Sequence, residues 1–403
     1  MFEIIIYILL ILSLIYGFYF LIMASGVFRK KKCEIDNNKK NHFAILIAAR
    51  NEETVIKNLI NSLKKQNYPS NKYDVYVIVN NCTDNTLEVA KNAGAKIIEC
   101  KQKVKSKGEV LKYTFNKLKS NDEIDAYVIF DADNVVHREF LNKMNDSINC
   151  GYEVVQGFRD TKNICDNWLS TSYAILYYLQ SLFINKSRFN FGMSSFLNGT
   201  GFMVKKETID RYGYDPKTIT EDIEYTAICA INGIKIAFNE NAITYDEQVT
   251  DFKSSLKQRK RWSFGAIQCL KNYTGSLIKE GIKNKRFECF DVIIFYFGII
   301  FHVLFTIVSL IGIFYNVFYL NNFNSMDVVI YFIMFLINYF IGVVFRMIVI
   351  KKCNKSIKEN IWGILLFDLF VLSWFPINFI CLFIKNCNLD HIKHDRNVDT
   401  LNI

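Results

Sequence analysis

No Cys-x-x-Cys pair and no other metal-ligand spacing occurs among the 11 cysteines of this 403-residue chain, which excludes a zinc ribbon and a dithiol redox pair. An odd, scattered set of this kind fits free thiols in a reducing compartment. No Gly-x-Gly-x-x-Gly follows any strand-like run, so a dinucleotide-binding fingerprint is missing. No basic residue precedes the first apolar run, Ile4 to Ala24; only Glu3 stands ahead of it, whereas a cleaved signal peptide carries charge there. Internal repeats are absent. Aromatic and basic residues alternate in few places outside the segments that flank apolar runs. The net charge of +10 therefore points to anionic lipid and phosphate-bearing substrate, and away from nucleic acid.

Apolar residues, by contrast, make up 51% of the chain and aromatic ones 15%, high for a soluble protein. Ile4–Ala24 is long enough to cross a bilayer. Arg29, Lys30, Lys31 and Lys32 follow it, which places the chain after residue 28 in the cytoplasm. Further apolar segments run over about 290–320, 327–350 and 361–384. The loop Asn321–Met326 carries no basic residue, while Lys351, Lys352, Lys355 and Lys358 crowd the next one, so the first reads as outside and the second as inside. Counting crossings sends the C-terminus out, yet Lys385, Lys393 and Arg396, with His391 and His394, look cytosolic. Either the last segment, broken near Pro376, is re-entrant, or 290–320 is not one simple span. The expected divisions are a transmembrane helix at 1–28, a cytosolic domain at 41–250, an interfacial segment at 251–285, transmembrane helices at 286–386 and a tail at 387–403.

Between the apolar ends, short β runs alternate with helical stretches, the signature of an α/β domain with a mostly parallel sheet. Strands are expected at His42–Ala48, Asp74–Val79, Lys96–Glu99 and Ala126–Phe130, with helices over Glu52–Gln66, from Thr83 and from Lys107. Ligands of open α/β sheets bind at the C-terminal strand ends. Those ends carry Ala49-Arg50-Asn51-Glu52, Asn80-Asn81-Cys82-Thr83-Asp84 and Asp131-Ala132-Asp133.

Asp131 and Asp133, two carboxylates at i and i+2 after a strand, suit a hard divalent cation that in turn binds a diphosphate; an Asx turn ending the strand is the plain alternative. Lys105 and Lys107 stand where they would meet the same phosphates, or are solvated loop charges. Thr220-Glu221-Asp222 opens a helical run, where acidic residues serve as ordinary caps, or where Asp222 acts as a general base. Asn198-Gly199-Thr200-Gly201 is a small-residue segment that lets an acceptor approach the backbone. In Gln258-Arg259-Lys260-Arg261-Trp262, helical spacing puts Gln258, Arg261 and Trp262 on one face and Arg259 elsewhere. An amide, a guanidinium and an indole on one face suit a phosphate-bearing donor and a flat sugar ring; a basic, Trp-bearing helix beside a membrane also suits an interfacial anchor.

Taken in order, A-R-N-E-E, N-N-C-T-D, K-S-K-G, D-A-D, N-G-T-G, T-E-D and Q-R-K-R-W, followed by apolar spans, resemble the membrane-embedded inverting glycosyltransferases of the GT-A fold. That group includes the cellulose, hyaluronan and poly-N-acetylglucosamine synthases, and the resemblance covers roughly residues 42–400. It implies that Ala49, Glu52, Asn80 and Asp84 line the nucleotide pocket of a UDP-sugar donor and that Lys107 lies near the phosphates. It further implies that Asp131 and Asp133 hold Mg²⁺ or Mn²⁺, Asp133 the more directly, and that Asp222 is the base. Gln258, Arg261 and Trp262 would clamp the diphosphate and floor the acceptor site, with Asn198, Gly199, Thr200 and Glu221 around the acceptor. The stretch Asn167–Ile184 would be an amphipathic helix at the membrane surface. Two departures stand out: Val79-Asn80 where many relatives have Asp-Asp, and Asn198 where relatives often have Cys.

The resemblance favours a processive synthase in the plasma membrane, with its catalytic domain in the cytoplasm, that extends a polysaccharide and helps to export it. The alternative is transfer of one sugar to a membrane lipid, because ceramide glucosyltransferases share the Q-x-x-R-W. A non-enzymatic membrane protein with a degenerate domain is the reading from another class, and Asn80 is all that supports it.

Overall fold

The computed structural model describes residues 2–31, 39–104, 106–318 and 325–387. Lys32, Lys105, most of the loop Asn321–Met326 and the basic tail residues Lys393 and Arg396 lie outside them. Among the described residues eight strands form one sheet: β1 Phe43–Ala49, β2 Tyr73–Val79, β3 Lys96–Glu99, β4 Ala126–Asp131, β5 Val135–Val136, β6 Val154–Thr161, β7 Phe202–Lys205 and β8 Ile236–Asp246. The helices of the domain are α2 Ile56–Lys64, α3 Thr86–Asn92, α4 Lys107–Leu118, α5 Phe140–Asn149, α6 Trp168–Leu179, α7 Ser187–Asn190, α8 Lys206–Tyr212 and α9 Glu221–Asn232. The helix α1 Phe2–Ser25 precedes them, and α10 Phe252–Lys283, α11 Phe287–Phe318, α12 Ser325–Lys352, α13 Ile361–Leu372 and α14 Trp374–Phe383 follow.

The sheet order is β3-β2-β1-β4-β7-β6-β8-β5. Strand β1 (FAILIAA) shows no polar alternation because both of its faces are covered. Its Phe43, Ile45 and Ile47 pack on α2 and α5, while Ala44 and Leu46 pack toward α4 and α9. The expected mostly parallel sheet holds for β3-β2-β1-β4, but β7 is antiparallel to both β4 and β6. The chain reaches β7 from the helical excursion 162–201 and so enters the sheet from the opposite end. Pairing Ile129 with Phe202 then brings residues 198–201 over the C-terminal end of β4. Strands β6 and β8 are parallel, with a register shift at Gly157/Phe158 and Thr161 opposite Asp246.

The expected helix Asn167–Ile184 is α6, capped by the Asn167 side chain through Leu169 N and Ser170 N, 3.0 Å each, and continued by a π-helical turn, Gln180–Lys186. It is not a surface helix: Leu169 to Ile175, Tyr177 and Tyr178 are all buried. Its cover is α13, which comes so near that a Cβ on Gly363 would stand 2.2 Å from Thr171 Cβ.

Among the described residues four stretches are long and apolar enough to cross a membrane: Tyr7–Phe28, Phe287–Gly312, Val329–Lys352 and Ile361–Phe383. The last is broken at Ser373, before Pro376, a residue without the N–H that would continue the helix. Its two parts, of 12 and 10 residues, reach only about 18 and 15 Å at 1.5 Å per residue. Both ends of this bent pair lie against the domain or the helix that leaves it. At the start, Thr171 Oγ1 donates to Asn360 Oδ1, 3.1 Å, and Lys355 pairs with Asp160 of β6, 3.0 Å. At the finish, Cys381 Sγ donates to Lys260 O, 3.6 Å, and Ile384 and Cys387 join Ile219 and Leu256 around Phe264 and Ile267.

Arg259, which the helical spacing sets apart from its neighbours, is fully buried at the bend. It donates to Phe370 O at 3.1 Å and Ser373 Oγ at 2.8 Å. A second buried guanidinium, Arg188, donates to both oxygens of Asp291 in α11 at 2.8 and 2.9 Å, and Tyr19 of α1 donates to the same carboxylate. The expectation of free thiols holds for nine cysteines, but Cys150 is disulfide-bonded.

Candidate active site

The loops after β1 and β2 form one polar wall because their side chains cap each other's backbone. Asn51 Oδ1 accepts from Thr83 N, 2.8 Å. Asp84 accepts from Glu53 N at 3.2 Å and from Thr86 N and Oγ1 at 3.0 and 2.5 Å. Burial raises the Asp84 carboxyl, and these bonds outweigh it and hold it below the usual carboxylate range. Glu52 N donates to Thr86 Oγ1, 2.8 Å. Asn80, 5% exposed, bonds through its backbone to Ala49 O at 3.2 Å and through its amide to Cys100 O at 3.1 Å. Both bonds use Asn80 as a donor; an aspartate side chain has no hydrogen for Cys100 O.

Strand β4 ends in the turn Asp131-Ala132-Asp133, held by Asn134. The buried Asn134 Oδ1 accepts from Asp131 N, 3.1 Å, and from Thr200 Oγ1, and Thr200 Oγ1 accepts from Asp131 N, 3.0 Å. One amide thus ties the turn that carries the two carboxylates to the small-residue loop. Lys107, at the first position of α4, reaches into the junction. Its Nζ lies 2.5 Å from Asp131 Oδ1, 2.7 Å from Gly199 O and 3.9 Å from Glu221 Oε1. Burial works against the ammonium, but Asp131 and Glu221 hold it above the ordinary lysine range. Burial also raises Asp131, and Lys107 pulls it below the carboxylate range, with help from Arg159 and Arg261.

Glu221 and Asp222 open α9, where the helix dipole favours negative charge, yet burial dominates. It pushes Glu221 up to about 7, with Lys107 opposing and Asp222 reinforcing, and it raises Asp222 as well. Gly199, at φ +89°, faces the base candidate, since a Cβ there would lie 3.2 Å from Asp222 Oδ2. The turn before α9 is shaped by Glu224, whose carboxylate accepts from Lys217 N and Thr218 N at 2.7–2.9 Å. Helix α10 presses on the turn through Gly265, where a Cβ would fall 2.2 Å from Thr220 Oγ1. Three residues earlier Trp262 meets Tyr173 and Tyr177 edge to face, at 6.0 and 6.3 Å. Gln258 is on the same helix with its Oε1 buried and unpaired.

Arg159, at a C-terminal strand end on β6, has no place in the motif reading. Its guanidinium pairs with Asp246 of β8, Nε to Oδ2 2.6 Å, donates to Asn198 O at 2.9 Å and lies 3.8 Å over the Tyr177 ring. Asn198 is 7% exposed, and both polar atoms of its side chain lack a partner. Burial, against Arg159 and with Asp133 adding, pushes Asp246 up to about 6. A polar break in two apolar strands is the only trace these residues leave in the sequence.

Beside Ile223, the residue after Asp222, lies a cavity of about 440 Å³. Tyr16, Ile223, Trp262, Ser263, Tyr296 and Asn378 are in its lining, with no charged side chain. The Tyr296 hydroxyl donates to Ile223 O, 2.5 Å, and ties α11 to the residue after Asp222.

A family model described as glycosyltransferase-like family 2 matches residues 40–265, more than half of the chain. The chain belongs to that family. It is 24% identical over 283 residues to a probable glycosyltransferase, YdaM, of Bacillus subtilis, covering 64% of each protein. It is 24% identical over 233 residues to a beta-monoglucosyldiacylglycerol synthase of Synechocystis, covering 57% of this chain and 48% of that one. The match thus spans about half to under two thirds of these relatives' length. Among solved structures, the mannosyltransferase PcManGT from Pyrobaculum calidifontis, in complex with GDP-Man and Mn²⁺, aligns over 96% of this chain and 100% of its own with a TM-score of 0.62 at 12% identity. The domain accordingly has the GT-A fold expected from the motifs.

Among the described residues no group of three or more His, Cys, Asp or Glu is arranged to hold a metal ion by itself. Asp131 and Asp133 nevertheless fit a cation whose remaining positions are taken by diphosphate oxygens and water, the usual way Mg²⁺ is bound.

Proposed function

We propose that this chain is an inverting glycosyltransferase that moves a sugar from a nucleotide diphosphate donor to the hydroxyl of a membrane lipid. The observation that carries the acceptor is the position of Asp222. Its carboxylate faces Gly199 in the polar cleft, while the next residue, Ile223, is in the wall of the apolar cavity. A hydroxyl that comes to Asp222 from that side arrives attached to something apolar. Apart from Ser263 and Asn378 the lining beside Trp262 is apolar and aromatic, which offers a hydrocarbon chain more contact and a polysaccharide few hydrogen bonds. The relatives that bear the name monoglucosyldiacylglycerol synthase agree with a lipid acceptor.

In this reading Ala49, Glu52, Asn80 and Asp84 hold the uridine of a UDP-sugar, and Lys107, Gln258 and Arg261 face its diphosphate. Asp131 and Asp133 would hold Mg²⁺ or Mn²⁺, which supplies neutralising charge for the departing UDP. Asp222, raised by burial, takes the proton from the acceptor hydroxyl. The acceptor oxygen bonds to the anomeric carbon as the bond to the diphosphate oxygen breaks, in one in-line displacement that inverts that carbon. Asn198, Gly199, Thr200 and Glu221 border the path of the acceptor, and Trp262 is its floor. The flanking Arg29, Lys30, Lys31 and Lys355 put the domain on the cytoplasmic side.

The purified protein in lipid vesicles, supplied with labelled UDP- and GDP-sugars, tests this. Label is expected in a lipid-extractable glycolipid carrying one sugar; label in a high-molecular-weight polymer, with none in lipid, overturns it.

A further inference from the structure

One wall of the cavity is polar, and its hydrogen bonds run in a fixed direction. Trp374 Nε1 donates to Ser263 Oγ, 3.0 Å. An indole N–H only donates, so the Ser263 hydroxyl sends its own proton to Asn378 Oδ1, 2.6 Å away. The Asn378 amide is thereby oriented, and its Nδ2 faces His302 Nδ1 at 3.2 Å. His302 then accepts at Nδ1 and carries its proton on Nε2. The row ends in two donors: the second N–H of Asn378, at the cavity wall, and the Nε2–H of His302, which is half-buried beside it. Ser263 and Asn378 line the cavity and are only 3% and 5% exposed. His302 continues the helix face of Phe295, Gly298 and Ile299, which line it too.

Donors left unpaired among apolar side chains cost free energy on the order of kilocalories each, so the occupant of this cavity has to bring acceptors. No Lys or Arg is in the lining to call for a negative charge; Arg259, outside it, donates to Ser255, Phe370 and Ser373 and keeps Nη2 unpaired. The level of the row also matters. Six residues separate Tyr296, bonded beside the base, from His302, about 9 Å along α11. A neutral acceptor oxygen a few bonds below a reacting hydroxyl is what a lipid with an acyl linkage offers.

We propose that Asn378 and His302 bind the carbonyl oxygen of an acyl-linked lipid acceptor, whose hydrocarbon chain occupies the cavity and whose hydroxyl is thereby placed at Asp222. This rests on the lipid-acceptor reading above and adds which lipids are taken. Ester carbonyls of a diacylglycerol and the amide carbonyl of a ceramide share that chemistry, whereas a dialkylglycerol ether keeps the hydroxyl and chains and lacks it.

The test measures sugar transfer by the full-length protein in vesicles doped with dioleoylglycerol, its dioleyl ether analogue or N-oleoyl sphingosine. The diester or the amide is expected to show a KM about tenfold below that of the ether, the loss from one unmet donor. Asn378→Leu and His302→Phe are each expected to bring the ratio toward one by raising KM for the carbonyl lipid more than for the ether. Whichever of ester and amide the wild type prefers names the source. Equal KM for ether and carbonyl lipids in the wild type overturns the proposal without any variant, and so does a ratio that survives in both variants. Absence of transfer to all three lipids, with polymer formed instead, overturns the lipid-acceptor reading itself.

Discussion

Asp222 and Glu221 share a buried first helical turn with Lys107 between them and Asp131. The charge they hold decides the rate. A base works only when ionised, and both carboxyls titrate above their ordinary values, Glu221 at about 7. Transfer is therefore expected to rise with pH through about 7 and to level off above it, where both carboxyls are ionised. Asp222→Asn should abolish that rise and lower the rate by about 10²–10⁴-fold with donor binding retained, as read by nucleotide release and equilibrium binding. Gly199 is a finer probe. Alanine there meets an unfavourable φ of +89° and puts a methyl 3.2 Å from Asp222 Oδ2. Gly199→Ala is expected to lower kcat well beyond any change in donor affinity, because the base is displaced while the β1 and β2 loops are untouched.

At the scale of elements, the strand ends that carry the donor wall were legible because they follow from local pattern. Apolar runs stop, polar residues begin, and β1 through β4 lie within one or two residues of their expected bounds. Asn134 escaped notice although it adjoins Asp133, since nothing local shows that its amide joins β4 to Thr200. Arg159 and Asp246 are 87 residues apart and meet only through the pairing of β6 with β8. The burial of α6 was equally hidden: its apolar faces read as lipid-facing until α13 is known to cover them. Where α1, α7 and α11 meet, Arg188 and Asp291 are desolvated together. Breaking such a pair from one side costs about 3–5 kcal/mol, while replacing both partners with apolar residues is close to neutral. Arg188→Met should thus lower the thermal midpoint in detergent sharply, and Arg188→Met with Asp291→Leu should recover most of it.

For the whole molecule, the sequence left two ways to reconcile a basic tail with the count of apolar segments. The bend at Ser373 favours the re-entrant one, because Asn360 and Cys387 both return toward the catalytic domain. A reporter cysteine placed after residue 387 is expected to be labelled from the same side as one in the domain, and labelling from the opposite side only would refute the re-entrant topology. The bend has a mechanical consequence too. In the re-entrant topology, a helix pair that enters and leaves by one face would widen a single leaflet and not the other, and give the protein a wedge shape within the bilayer. Wedges of this kind settle where lipid packing is loose. The enzyme is thus expected to partition to small, strongly curved vesicles over large flat ones, and to gather where a membrane is already bent.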